Sequence, residues 1–135
     1  EVAASHVGAA KAAFETALDY ARQKKRFGQP VAASQAVRHM LAEMEVELES
    51  ARLLTYHAAW LKANELSCGK ECCMAKLSTT EALKSIALKG MEIMGSDGYL
   101  MEYDMQRHLR DSLIGTVGGG TSQLQKNMIA RALGI

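Results

Sequence analysis

Apolar residues at the start of the chain recur at three- and four-residue steps. Ala3, Val7, Ala10, Phe14, Leu18 and Ala21 fall on one stripe, which predicts a helix from residue 1 to about residue 26. The cations Arg22, Lys24, Lys25 and Arg26 close it, as suits the carbonyl end of a helix. Gly28 and Pro30 then break the pattern. A second stripe, Val37, Leu41, Met44, Leu48, Ala51 and Ala58 with Trp60 alongside, predicts a helix from about Ser34 to Asn64. At ~1.5 Å per residue that helix is roughly 45 Å long. Its steps of four and three are the seam of antiparallel bundle helices. Glu43, Glu45, Glu47 and Glu49 mostly point elsewhere and read as a solvated face. Glu65 to Lys70 reads as a turn around Ser67 and Gly69. A third long helix runs on to about Met94, with Met74, Leu77, Ile86, Ile93 and Met94 on its apolar side. Gly90 within it costs ~1 kcal/mol of helix propensity, which points to a close helix contact. A loop from Gly95 to Tyr99 ends it. A shorter helix covers about Glu102 to Ile114, a glycine-rich turn Gly115 to Gly120, and a last helix Ser122 to Leu133. The pattern predicts an all-α fold: an antiparallel four-helix bundle of three long and two shorter helices.

Composition narrows this further. The 135 residues fit one helical domain, residues 1–135, and allow a real core. The single proline and the wealth of Ala, Leu, Met, Glu and Lys exclude most all-β folds. A net charge of +1 removes the electrostatic case for nucleic acid. No apolar run approaches the ~20 residues of a membrane span. The start at Glu1 lacks signal or transit composition, so secretion is not expected. Cys68, Cys72 and Cys73 do not form a disulfide scaffold, and no second cysteine or histidine pair follows at zinc spacing. They read as small, half-buried helical residues in a reducing compartment, with a redox-sensitive thiol as the alternative. His6, His39, His57 and His108 are scattered and demand no metal. The eight methionines read as core filler.

Few constellations carry chemistry by themselves. Gly115 and Gly120 have the spacing of a phosphate loop, but Thr121 stands where a lysine is needed and no strand precedes. Thr121 or Ser122 can cap the last helix, and Ser122 with Gln125 fits a capping box. The exposed N–H groups of that helix start suit an anion or a polar cofactor edge. Arg107, Arg110 and Asp111 read as an ion-pair network tying loops together. Arg22 to Arg26 beside Phe27 suits a phosphate group, with solvated cations as the alternative. No nucleophile–base arrangement is readable.

The order of motifs says more. Tyr20-Ala21-x-x-Lys24-x-Arg26-Phe27-Gly28-Gln29-Pro30 precedes Gln35 and Met40-Leu41-Ala42-Glu43-Met44. Ala51-Arg52-Leu53 and Tyr56-x-Ala58-Ala59-Trp60 follow. Later come Gly95-x-x-Gly98-Tyr99, Arg107-x-x-Arg110-Asp111 and Gly120-Thr121-Ser122-Gln123-x-Gln125. This series, over almost the whole chain, resembles the C-terminal helical domain of the acyl-CoA dehydrogenase family. The resemblance implies the last domain of a three-domain flavoenzyme. Such enzymes take a proton from the α carbon of an acyl-CoA and pass the β hydride to FAD. It also implies a homo-oligomer with these bundles at its centre, an electron-transfer flavoprotein as acceptor, and a bacterial cytoplasmic or mitochondrial matrix setting. FAD is expected in the full-length parent and not on this chain alone.

The resemblance assigns cofactor contacts residue by residue. Lys24 stands where the family has an arginine on a neighbouring subunit's FAD pyrophosphate; it keeps the charge and loses the fork. Arg22 or Arg26 are possible substitutes. Phe27 and Gln35 fit positions near FAD. Glu92 replaces a glutamine near the ADP half, Gly95 is the first of the paired glycines, and Ser96 replaces the second. Thr121 and Gln123 fit the stretch that meets FAD at the last helix. Gly119 occupies the loop position of the glutamate base in many members and has no proton-accepting side chain. Other branches carry that carboxylate near the start of the first long helix, here roughly one turn upstream of Glu1. Two readings follow: a domain of an active dehydrogenase, or a non-catalytic assembly chain of the same fold.

Overall fold

The computed structural model describes residues 1–135. Its helices are α1 (Val2–Gln23), α2 (Gln35–Ala63), α3 (Gly69–Met94), α4 (Ser96–Tyr99), α5 (Met105–Gly115) and α6 (Ser122–Ala132). Two short strands, β1 (Lys25–Arg26) and β2 (Gln29–Pro30), pair antiparallel, and a 3-10 turn spans Val31–Ala33. The bundle is built around α3, which packs against α1, α2, α5 and α6.

Each member of the α2 stripe from Val37 to Ala58 is buried, so the seam faces the core as its spacing predicts. On α1 the buried line is Ala10, Ala13, Ala17, Tyr20 and Ala21, while Val7, Phe14 and Leu18 are half-buried at its edges. The small residues lie at the contact and let the α1 and α3 backbones approach; the larger ones fill the flanks. Gly90 does mark a close contact. A Cβ there would fall 2.6 Å from the Met105 Sδ, so α5 crosses α3 where the side chain is missing.

Five expectations are corrected. The first helix ends at Gln23, not near residue 26, because Phe27 and Gly28 take φ of 51° and 80° and turn the chain into the β1–β2 hairpin. Residues 96–99 wind into one helical turn where a loop was expected, and α5 begins at Met105 rather than near Glu102. The α2 glutamates are not simply solvated: Lys89 of α3 bridges to Glu47 at 2.5 Å and Glu43 at 3.2 Å. Arg107 pairs only with Asp104 of its own turn, at 3.3 Å, and Arg110 and Asp111 tie no loops together.

Candidate functional site

The residues singled out in the sequence fall into two groups at opposite ends of the bundle. α1 has 22 residues, so its ends lie about 30 Å apart. Lys24, Arg26, Phe27, Gln35, Glu92, Gly95 and Ser96 belong to the end formed by the hairpin, the start of α2 and the close of α3. Gly119, Thr121 and Gln123 belong to the end where α1 begins and α6 starts.

At the hairpin end, Lys24 and Asp97 form an ion pair of 2.7 Å across 73 residues of sequence. The Tyr20 hydroxyl donates to the same Asp97 oxygen at 2.8 Å. Hydrogen bonds from Lys24 and then Tyr20 hold the Asp97 carboxyl below the usual range, and its carboxylate raises Lys24. Burial, followed by the Asp97 hydrogen bond, pushes the Tyr20 phenol up. Arg26 donates to the Met94 carbonyl at 2.9 Å and to the Tyr20 oxygen at 3.3 Å, so it closes the carbonyl end of α3. Gly95, with φ of 61°, lies under this guanidinium; a Cβ there would sit 3.1 Å from Arg26 Nη2. Glu92, Ser96 and Gln35 are exposed, with Gln35 Nε2 3.4 Å from His39 Nε2. Arg22 and Lys25 are exposed and carry no ion pair, and Arg38 in the first turn of α2 is likewise free.

The Asp97 carboxylate gives a pH dependence of definite sign. Its folded value lies below the ordinary 3.8. The stability it contributes is present above 3.8 and is lost as pH falls through the lower folded value. Asp97→Asn is expected to lower the melting temperature near neutral pH, with the gap from wild type closing in strong acid. A gap independent of pH would contradict this origin.

Phe27 is the outlier of the hairpin. Its side chain is fully exposed, at 105%, and its φ is 51°. The left-handed region costs a bulky L-residue about 1–2 kcal/mol, and asparagine tolerates it better. Phe27→Asn is expected to stabilise this chain by about 1 kcal/mol in thermal or urea unfolding. A loss of stability would show that the ring packs on the chain itself.

At the other end, Thr121 caps α6: its hydroxyl accepts from the Leu124 N–H at 3.1 Å. Ser122 is not the cap. It is buried and donates to Glu81 at 2.6 Å. The capping box does not form, because Gln125 turns its amide to the Gly119 carbonyl at 3.3 Å. Gln123 is exposed, and its backbone N–H is the one left free in the first turn, since Ser122 N–H donates to the Thr116 carbonyl and Leu124 N–H to Thr121. The loop before Thr121 is held by Lys76. Its buried ammonium donates to the carbonyls of Gly115 at 2.9 Å and Gly120 at 2.6 Å, binding the two ends of the glycine run. Gly119 and Gly120 need φ of 66° and 94°. A side chain at Gly115 would run into the His6 ring, and a Cβ at Gly119 would lie 3.5 Å from Val2 Cγ2. The glycine loop and the first turn of α1 therefore meet. Glu1 is exposed and makes no side-chain cap bond.

Sequence reading missed Lys76, Asp97 and Val2. Lys76 had a signal: with Thr79 and Thr80 it puts three polar residues on the buried face of α3. Asp97 had none, since its partner lies on another element.

The model of the acyl-CoA dehydrogenase C-terminal domain matches residues 1–134. An acyl-CoA dehydrogenase of Bacillus subtilis is 42% identical over 132 residues, covering 98% of this chain and 35% of that protein. The caffeyl-CoA reductase–Etf complex subunit CarC of Acetobacterium woodii is 39% identical over 132 residues, with the same two shares, 98% and 35%. The structure of butyryl-CoA dehydrogenase from Megasphaera elsdenii superposes with a TM-score of 0.96 at 32% identity, over 99% of this chain and 35% of that one. The chain thus spans about a third of the length of its relatives. No helix is long and apolar enough to cross a membrane. A match from end to end, on a bundle of the same shape, means that this chain belongs to the acyl-CoA dehydrogenase family as a C-terminal domain.

Proposed function

We propose that this domain serves a longer flavoenzyme that dehydrogenates an acyl-CoA thioester between its α and β carbons. The observation that carries the reading is the meeting of Val2 and Gly119, 3.5 Å from Val2 Cγ2 to a Cβ at Gly119. In a helix, positions four apart share a face. A carboxylate borne one turn upstream of Glu1 shares the face of Val2. It would project toward the space that a glutamate at position 119 would fill. The two positions used for the base in the family are thus alternatives for one place, and a glycine at 119 is compatible with catalysis. Bound FAD would supply the hydride acceptor.

The residues at the two ends suit a flavin shared between copies. Thr121 and Gln123, with the free Gln123 N–H at the start of α6, suit the polar edge of the cofactor held by the same chain. Phe27 and Gln35, with the free cations Arg22 and Lys25, suit the cofactor of a neighbour. Lys24, Glu92, Gly95 and Ser96 belong to that same rim. The separation of about 30 Å keeps one chain from using both groups on one flavin. An outward stripe on α2 suits the assembly: Val46, Leu53 and Trp60 recur every seven residues and are 57–65% exposed. An electron-transfer flavoprotein fits as acceptor, and one relative is named as a subunit of an Etf complex.

The second reading, a non-catalytic assembly chain, draws on the hairpin end. There Lys24 is already neutralised by Asp97, and Glu92 adds a carboxylate. Purification of the full-length parent separates the two. The dehydrogenase reading expects bound FAD and dye-coupled oxidation of an acyl-CoA from a panel of chain lengths. A folded oligomer with neither flavin nor turnover would establish the assembly reading instead.

A further inference from the structure

The three cysteines are free and differ in setting. Cys73 is buried, its sulfur 3.9 Å from the Met128 sulfur on α6. Cys68 is half-buried and Cys72 is exposed, and their sulfurs are 3.7 Å apart. Cys68 is the residue before α3, with φ −138° and ψ 16°, and Cys72 lies one turn into the helix. The segment before Cys68, from Asn64 to Ser67, is exposed. A disulfide needs the sulfurs at about 2.05 Å with Cα atoms within roughly 7 Å. One turn of helix spans about 5.4 Å along its axis, so the Cα separation is within reach. Cβ atoms one turn apart are about 5–6 Å apart and a disulfide holds them at about 3.5–4.5 Å, so closure takes rotation of both side chains and a small backbone shift at Cys68, which lies outside the helix.

We propose that Cys68 and Cys72 are a modification site, a thiol pair that closes to an intramolecular disulfide on meeting a small-molecule disulfide such as oxidised glutathione. The exposed Cys72 thiolate attacks one sulfur of the reagent and expels one thiolate, leaving a mixed disulfide. The Cys68 thiolate then attacks the Cys72 sulfur and expels the second. Two protein thiols are oxidised, one reagent disulfide becomes two thiols, and the two protons pass to the leaving thiolates. Burial and the Cys68 neighbour raise the Cys72 thiol, so the reaction accelerates as pH rises. Cys73 takes no part, because its sulfur faces α6 rather than solvent. The bond would pin the turn between α2 and α3. It would also reshape the cleft of about 580 Å³ that Cys72 lines together with Val2, Thr55 and Lys76.

The test is oxidation of the folded chain with oxidised glutathione, followed by acid quench, alkylation and peptide mass analysis. Wild type is expected to give a Cys68–Cys72 cross-link with Cys73 free. Cys68→Ser keeps a good capping residue before α3 and is expected to stay folded. It should trap the glutathione adduct on Cys72 at about tenfold or more the wild-type level, since the second attack is intramolecular only when Cys68 is present. A wild-type protein that accumulates the adduct like Cys68→Ser would overturn the proposal. So would a cross-link to Cys73, or one between chains.

Discussion

Truncation of Ile86 to alanine is expected to destabilise the fold by about 2–5 kcal/mol. Ile86 is 0% exposed at the middle of α3, in the core shared with α1 and α2. Removing its branched end deletes buried apolar contacts and leaves a cavity. Helices on several sides hold that space open, so it cannot readily collapse. Leu88 lies two residues on and is 49% exposed. Leu88→Ala is the control and is expected to stay within about 0.5 kcal/mol of wild type. At roughly 4 °C per kcal/mol, the first variant melts many degrees lower and the second does not. Equal small shifts for both would mean that α3 is not the centre of the core.

The second large effect concerns the proposed base. In the full-length parent, conversion of the carboxylate one turn before Glu1 to its amide is expected to lower turnover by about 100- to 10,000-fold with flavin retained. The flavin contacts proposed for α6 do not involve that group, so binding and chemistry separate. Gly119→Glu in that background is expected to restore a measurable part of the rate, because a Cβ at Gly119 lies beside Val2, whose helix face the proposed upstream carboxylate would share. Recovery stays partial, since a glutamate at φ of 66° is strained by about 1–2 kcal/mol. Unchanged turnover in the amide variant would move the base elsewhere.

How much of this was legible in the sequence depended on the range of the interactions. The α2 seam was readable because burial follows a local period, and all six residues from Val37 to Ala58 are inside. The end of α1 was not. Cations at its close look like helix capping, whereas two positive φ values at Phe27 and Gly28 make a hairpin of only two pairs. The rim residues were named in order from the family pattern, yet order along a chain carries no distance. That the hairpin group and the α6 group stand at opposite ends follows only from the packing: α1 and α3 run parallel, so both close at the hairpin, and α5 returns along α3 to the start of α1. Lys24 with Asp97, and Lys76 with two glycine carbonyls, join residues more than 35 apart in sequence and needed the fold to be seen.

On the proposed function, the two ends of this domain serve two different flavins in the assembled enzyme, and mixing two defective full-length parents puts that arrangement to experiment. One carries Phe27→Ala and Gln35→Ala, and the other Thr121→Ala and Gln123→Ala; each alone is expected to bind FAD poorly and turn over little. After subunit exchange, a hybrid pairs the intact hairpin of one copy with the intact α6 end of the other. FAD content and acyl-CoA oxidation are both expected to reappear on mixing. Exchange demonstrated by mass, with no recovery of either, would contradict it.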